Sequence, residues 1–347
     1  MKILYITVWK PRKGGIVTHV ENLVKRSKNE SLILTYNDRS QRDTPGVIRA
    51  PYINLPILRG ASFAVTSFFK ALGIDFDIIH AHYAVPQGFA GVLIKKAKRK
   101  PLVLTVHGSD LTVLGGSRFT RPILKWVFNN SDRIIAVSRY MEGLITGLGV
   151  EKEKVRVIYN GVEPENPAKG DEKRMVFIGA LVRQKGADIA ITAFKELKEK
   201  HGDSKLLIVG DGPERKRLER LSRELGLTDI EFRGYVEDIN GVFTAKSILV
   251  LPSREEGFGM VLLEAMARGV PVIAAKTGGI VEIVADGENG LLFTKEDPGS
   301  LADATARIFE DGLLKERLIK GGFETVEKFT WEKTEKETTK VYEELAG

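Results

Sequence analysis

Short apolar runs of five or six residues, each followed by a loop and a helical stretch, recur along the whole chain. ILYITV (3–8) leads through Gly14-Gly15 into a helix at 16–26. FDIIHA (76–81), PLVLTV (101–106) and RIIAV (133–137) repeat the pattern, with helical segments at 89–97 and 122–130. In the second half, MVFIGA (175–180) precedes a helix over 187–200, where Ala187, Ala190, Ile191, Phe194 and Leu197 share one face at spacings of three and four. KLLIVG (205–210), IEFRGY (230–235), SILVLP (247–252) and PVIAA (271–275) supply further strands. Strands too short and too apolar to alternate, separated by helices, specify parallel sheets covered by helices on both faces. The 347 residues exceed one ordinary domain. The prediction is an α/β chain of two doubly wound, Rossmann-like domains facing a cleft, 1–165 and 166–330, with a C-terminal helix over about 331–347 returning to the first. EPENPAKGDEK (163–173), with two prolines, a glycine and no apolar periodicity, marks the boundary.

The charge is unevenly spread. Residues 1–160 carry 25 Lys and Arg against 11 Asp and Glu, and the remainder carries 28 against 35. Such segregation suits an anionic partner in the first half, although a solvated basic face is an equal reading. With no cysteine, disulfides, thiol catalysis and iron–sulfur clusters are excluded. No apolar run reaches the roughly 18 residues of a membrane span, and the N-terminal run reads as a first strand, so a cytoplasmic, soluble protein is expected.

In doubly wound sheets, ligands bind where strands run into helices at their carboxyl ends. The richest such junction is PSREEGFGMVLLEAMARG (252–269): a strand end, a loop holding Gly257 and Gly259, then a helix from about Met260 that Gly269 caps. Loop glycines let backbone amides approach a ligand, and a helix start adds partial positive charge, which suits a diphosphate. Glu256 and Glu264 flank it, and carboxylates accept hydrogen bonds from sugar hydroxyls. Taken alone, a solvated Glu256 and an exposed helical Glu264 explain these residues as well.

The junction resembles the Glu-x7-Glu signature of retaining GT-B glycosyltransferases of the group 1, or family 4, type. The likeness continues in the Gly-Gly loop at 14–15, HGSD (107–110), VS (137–138), NGV (160–162), the KG pair at 185–186, GDGP (210–213) and FTWEK (329–333). It implies a hexosyltransferase using a nucleotide diphosphate sugar and retaining the anomeric configuration. By the same resemblance Glu256 contacts donor-sugar hydroxyls, Glu264 the ribose, and the amides of Phe258, Gly259, Met260 and Val261 the diphosphate. Lys185 neutralises the leaving diphosphate, and Gly15 lies where diphosphate and acceptor meet. His107 sits beside the sugar. The family often has arginine where this chain has Ala180, so Arg183 is the candidate to reach the phosphates from the loop. Asp110 serves as well as a cap, Arg139 as a surface residue, and Asn160-Gly161 as a turn.

His80 and His82 point to one face of a strand, but no third ligand stands nearby, and GDGP lacks an aspartate pair. No metal and no other cofactor are expected. GDGPER also fails the dinucleotide fingerprint. The acceptor is a glycan, a lipid or a lipid-linked sugar; nucleic acid is not a partner, since basic residues interleaved with aromatics in a recognisable module are missing. A phosphorylase, a nucleotide-sugar epimerase and a non-catalytic glycan- or lipid-binding relative are the rival readings. Two stretches, RGASFAVTSFFKAL (59–72) and SRFTRPILKWVF (117–128), mix aromatics with Arg59, Lys70, Arg118, Arg121 and Lys125. They read equally as a peripheral membrane-docking face or as core aromatics beside solvated charges.

Overall fold

The computed structural model describes residues 1–10, 12, 14–38, 45–108, 111, 120–236 and 238–347, with the side chains of residues 56 and 57 excepted. Asp110, Arg118 and Phe119 lie outside the described residues. Two compact units emerge: Met1–Gly161 joined by Trp331–Gly347, and Val162–Thr330. The division at Gly161/Val162 precedes the proline-rich stretch, a few residues earlier than 165/166.

The first unit runs β1 (Lys2–Ile6), α1 (Gly15–Arg26), β2 (Glu30–Tyr36), β3 (Val47–Ala50), α2 (Pro56–Leu72) and β4 (Ile78–His82). It continues α3 (Phe89–Lys98), β5 (Leu102–Val106), α4 (Arg121–Asn130), β6 (Arg133–Ala136), α5 (Arg139–Thr146) and β7 (Val155–Val157). The second comprises β8 (Arg174–Ile178), α6 (Ala187–Lys200), β9 (Lys205–Val209), α7 (Arg215–Glu224), β10 (Ile230–Gly234) and β11 (Ser247–Leu251). It ends with α8 (Met260–Met266), β12 (Val272–Ala275), β13 (Leu291–Phe293), α9 (Pro298–Glu310) and α10 (Gly312–Val326). The last helix, α11 (Trp331–Ala346), packs in the first unit.

Among the described residues the sheets order as β3-β2-β1-β4-β5-β6-β7 and β10-β9-β8-β11-β12-β13, with parallel pairing. Each order reverses direction once, between β1 and β4 and between β8 and β11. At such a reversal the loops leaving adjacent strands diverge to opposite faces and leave a crevice at the carboxyl edge.

The interior strands are buried on both faces, which explains why they are unbroken apolar runs: β4, β5 and β11 are buried at every residue. The apolar stripe of α6 buries Ala187, Ala190, Ile191, Phe194 and Leu197 against β8 and β9 residues such as Phe177 and Ile208, and against α9. Each large side chain there contributes roughly 1.5–3 kcal/mol of burial. In the first unit, Val341 and Tyr342 of α11 complete the core around Tyr5, Ile78, Val103 and Ile135. Thr334 Oγ1 donates to the Tyr159 carbonyl at 2.8 Å and anchors the start of α11.

The aromatic segments divide. Phe63 and Phe128 are core residues and Trp126 lies half-buried against Phe89. Of the two readings, Phe63 and Phe128 take the core one. A different set is exposed on α2: Leu58, Val65, Phe69 and Leu72, spaced to form one stripe, preceded by Ile53 and Leu55.

Glycine makes the loops of the second unit fit. Gly186 opens α6 with φ +70°, and a Cβ there would stand 2.0 Å from the Pro252 carbonyl oxygen. Gly278 has φ +53°, and its Cβ would stand 2.1 Å from the Glu256 carbonyl oxygen. The loop after β11 is thus clamped on one side by the loop after β8 and on the other by the loop after β12. Gly287 has a comparable φ of +76° but nothing within 4 Å of where its Cβ would be. Gly278→Ala is expected to cost about 3 kcal/mol or more, backbone strain plus collision, whereas Gly287→Ala costs only the ~1–2 kcal/mol of strain. Urea denaturation checks this, and equal costs at the two positions would mean that the close approach at Glu256 does not hold.

Candidate functional site

The reversal point of the second sheet carries a charged contact. Lys185 ends the short turn Arg183–Lys185 after β8, and Glu256 lies in the loop after β11, so the two flank the crevice. Lys185 Nζ meets Glu256 Oε2 at 2.6 Å, and Ser253 Oγ donates to the same oxygen at 3.2 Å. Glu256 is only 9% exposed, which makes its pairing obligatory: a buried carboxylate without a partner would be costly.

Arg254, which sequence reasoning missed, holds this pair in place. Its guanidinium forks onto Asp188 at 3.0 and 3.1 Å, reaches Glu296 at 2.8 Å and donates to the Arg183 carbonyl at 2.7 Å. Its amide donates to the Gln184 carbonyl at 2.8 Å. Burial alone would raise the Asp188 carboxyl, but the Arg254 hydrogen bonds prevail and hold it below its ordinary range. The only signal in the sequence is an aspartate in the first turn of a helix, which is also what a helix start uses for charge. The Arg183 side chain itself is exposed, with no ion pair among the described residues, and Ala180 beside it is exposed too.

Phe258 is buried and contacts the Phe329 ring, while Gly257 and Gly259 line the loop that enters α8. Gly259 has φ +98°, which turns the chain into the helix. Met260 and Val261 are the first helical residues, whose amides have no acceptor within the helix. Glu264 follows one turn later, half-buried. Desolvation pushes its carboxyl above the usual range, against the opposing charge of Arg268. Arg268 is committed elsewhere, to Glu165 at 3.0 Å, Asn240 at 3.0 Å and the Glu264 carbonyl at 2.8 Å. Among the described residues, nothing hydrogen-bonds the Glu264 carboxylate.

In the first unit, four of the chain's five histidines converge at the reversal point between β1 and β4. His19 comes from α1, His80 and His82 from β4, and His107 from just past β5. The shared strand face is observed: the His80 and His82 rings lie 4.1 Å apart. His80 is saturated, by Tyr342 Oη at 2.5 Å on Nδ1 and Thr105 Oγ1 at 2.7 Å on Nε2. His82 Nδ1 meets His107 Nε2 at 3.1 Å, and His19 Nδ1 meets Asn160 Oδ1 at 2.7 Å. Asn160 is therefore more than a turn residue, a contact that its NG dipeptide does not advertise. Burial lowers every one of these imidazoles: His19 to about 4, despite its Asn160 bond, and His80, His82 and His107 well below the ordinary value. All four are neutral near pH 7. Among the described residues, no three His, Asp or Glu side chains are arranged to hold a metal ion. Gly14, at φ +125°, and Gly15 open α1 on this edge. Arg139 starts α5 as an exposed residue.

Comparisons with known proteins agree with this fold. Residues 162–325 match the family model "Glycosyl transferases group 1", and residues 13–166 match "Glycosyltransferase Family 4". The glycosyltransferase MJ1178 of Methanocaldococcus jannaschii is 40% identical over 100% of this chain and 99% of its own. N-acetyl-alpha-D-glucosaminyl L-malate synthase of Bacillus anthracis is 30% identical over 77% of this chain and 74% of its own. Among solved structures, Anabaena HepE in complex with UDP and glucose superposes with a TM-score of 0.87 at 22% identity, over 99% of this chain and 100% of that one. With two parallel-sheet units of the same strand order, relatives over the full length and a GT-B neighbour, the chain belongs to the group 1 glycosyltransferases and has the GT-B fold.

Proposed function

We propose that the protein moves a hexosyl group from a nucleotide diphosphate sugar to an acceptor hydroxyl, with the anomeric configuration retained and without a metal ion. The observation that carries the reading is the Lys185–Glu256 contact at 2.6 Å across the reversal point of the second sheet. A cation and a hydroxyl acceptor held together suit the two halves of a sugar diphosphate. The HepE complex with UDP and glucose, on the same fold, supports that class of donor.

Charge develops on the diphosphate as the glycosidic bond breaks, and Lys185 is the fixed cation placed to meet it, with the amides of Phe258 to Val261 beside it. Arg183, exposed and without an ion pair among the described residues, is the second cation able to turn toward phosphate. Glu256 is committed to Lys185 and Ser253, which suits a hydroxyl acceptor better than an in-line nucleophile. The acceptor's proton then passes to the departing phosphate on the same face. Glu264, whose carboxylate has no hydrogen-bond partner among the described residues, takes the ribose hydroxyls, and His107 the sugar. Lys185→Ala is expected to slow turnover by about 3–4 kcal/mol, on the order of 10²–10³-fold, with donor affinity changed far less. Wild-type turnover in a folded Lys185→Ala enzyme would remove the residue from the mechanism, and loss of wild-type activity in EDTA would overturn metal independence.

A membrane-borne acceptor is the reading we favour, and features of the first unit support it. Leu58, Val65, Phe69 and Leu72 form an exposed apolar stripe on α2, with Phe69 65% exposed. Lys70 lies beside it, and Arg121, Ile123 and Lys125 are exposed on α4. An apolar stripe beside a lysine, with further cations exposed on the same unit, suits interfacial binding to an anionic leaflet. Vesicles of phosphatidylglycerol and phosphatidylcholine should co-sediment the protein at low salt. Removing Arg121 and Lys125 as serines should weaken binding by about thirty-fold, at ~1 kcal/mol per charge. Failure of the wild type to bind would leave a soluble acceptor as the reading.

A further inference from the structure

We propose that His82 is a positioning residue: its Nδ1–H donates to Nε2 of His107 and so fixes His107 as the tautomer that carries its proton on Nδ1. Parallel pairing sets His82 opposite Thr105, so that His107, two residues on, lies just beyond the strand end where the two rings meet. Their nitrogens are 3.1 Å apart and the rings lie nearly parallel, at 28°. The side chains packed on the pair, Tyr5, His19 and His80, are also uncharged near neutrality.

Two neutral imidazoles in contact must divide one donor and one acceptor between them, and only two assignments exist. If His107 Nε2–H donated, the single proton of His82 would sit on its own Nε2. That atom is buried with no partner among the described residues, so an N–H would be stranded there. If instead His82 donates from Nδ1, its buried Nε2 keeps only a lone pair. A stranded N–H is the rarer and costlier arrangement in protein interiors. The neighbouring His19 shows the same solution: Asn160 Oδ1 can only accept, so His19 donates from Nδ1 and leaves its own buried Nε2 as an unpartnered lone pair. His80 cannot compete for either ring, since both of its nitrogens are bound to hydroxyls.

The other nitrogen of His107 follows from this. Nδ1 has no hydrogen-bond partner among the described residues, and the residue is half-buried rather than enclosed. His107 therefore presents an N–H, a neutral donor, instead of a lone pair that would repel phosphate oxygens and could only accept from a hydroxyl. The tautomer stands on this geometry together with the neutrality of the buried rings; its use toward a donor sugar rests on the function proposed above.

Long-range 1H–15N correlation spectra of the full-length protein with 15N-labelled histidine decide the matter without a substrate. His107, assigned by its loss in His107→Asn, should show a protonated Nδ1 and an unprotonated Nε2 at pH 7.5. His82→Asn, whose amide can replace the Nδ1–H, should keep that pattern and most of the turnover. His82→Phe should release His107 toward the Nε2–H form and lower kcat by on the order of tenfold or more, with donor KM near wild type. A wild-type His107 protonated on Nε2 overturns the proposal even if the His82 variants fail to fold. So does an unchanged Nδ1–H pattern in a folded His82→Phe. An Nδ1–H pattern in a protein that uses no nucleotide sugar would bear out the tautomer and count against the functional reading instead.

Discussion

The chemistry of the second unit depends on backbone being able to touch backbone. The loop bearing Glu256 is held between two glycines whose missing Cβ atoms would lie about 2 Å from its carbonyls, at Pro252 and at Glu256 itself. That closeness brings residues 71 positions apart in sequence to a 2.6 Å contact. Arg254 then fixes the same loop to α6 and to Glu296 through charge-assisted hydrogen bonds, which are stronger than neutral ones. A lysine free to swing would lose rotamer entropy each time it met a developing charge. One already held by a buried carboxylate has been ordered in advance, which is the sense in which such a site is preorganised.

The first unit solves a different problem. Four imidazoles are gathered where the sheet reverses, and burial keeps them neutral. Desolvation is the leading cause for each, and repulsion from neighbouring imidazoles adds to it for His80, His82 and His107, so the cluster offers oriented donors and acceptors and not a positive charge. Tyr342 of the last helix is part of this arrangement through its contact with His80. The C-terminal segment therefore does more than cover the sheet; it saturates the innermost histidine of the group.

How much was legible follows from where the information lies. The interior strands and their helices were readable because burial on both faces leaves an unbroken apolar run, as in LVLTV and SILVL. β3, β7 and β13 were missed: they are three or four residues long and sit at sheet edges, where a few apolar residues suffice. β2, which opens with Glu-Ser, escaped as well. The candidate loop was visible because its glycines, its carboxylates and the following helix are contiguous. Arg254 with Asp188, and His19 with Asn160, were not visible, since each pair is made by strand order and not by spacing. The aromatic segments misled in part: a stripe of phenylalanines does not say which side of α2 meets the core, and Phe63 and Phe69 went opposite ways.

The central claim is that the carboxyl-edge loops of the second unit bind a nucleoside diphosphate through Glu264 as well as Lys185. Isothermal calorimetry with UDP, GDP and ADP, set against inorganic diphosphate, tests it directly in buffers of differing ionisation enthalpy. The Glu264 carboxyl is raised in the free protein by burial, and ribose hydroxyls donating to it would favour its ionised form. Through the pH range in which free Glu264 titrates, binding should therefore release protons and affinity should rise with pH. Inorganic diphosphate should release none at that group, and Glu264→Gln should abolish the release. If none of the three nucleotides binds, or if one binds with equal affinity and proton balance in Glu264→Gln, the account of this site is wrong.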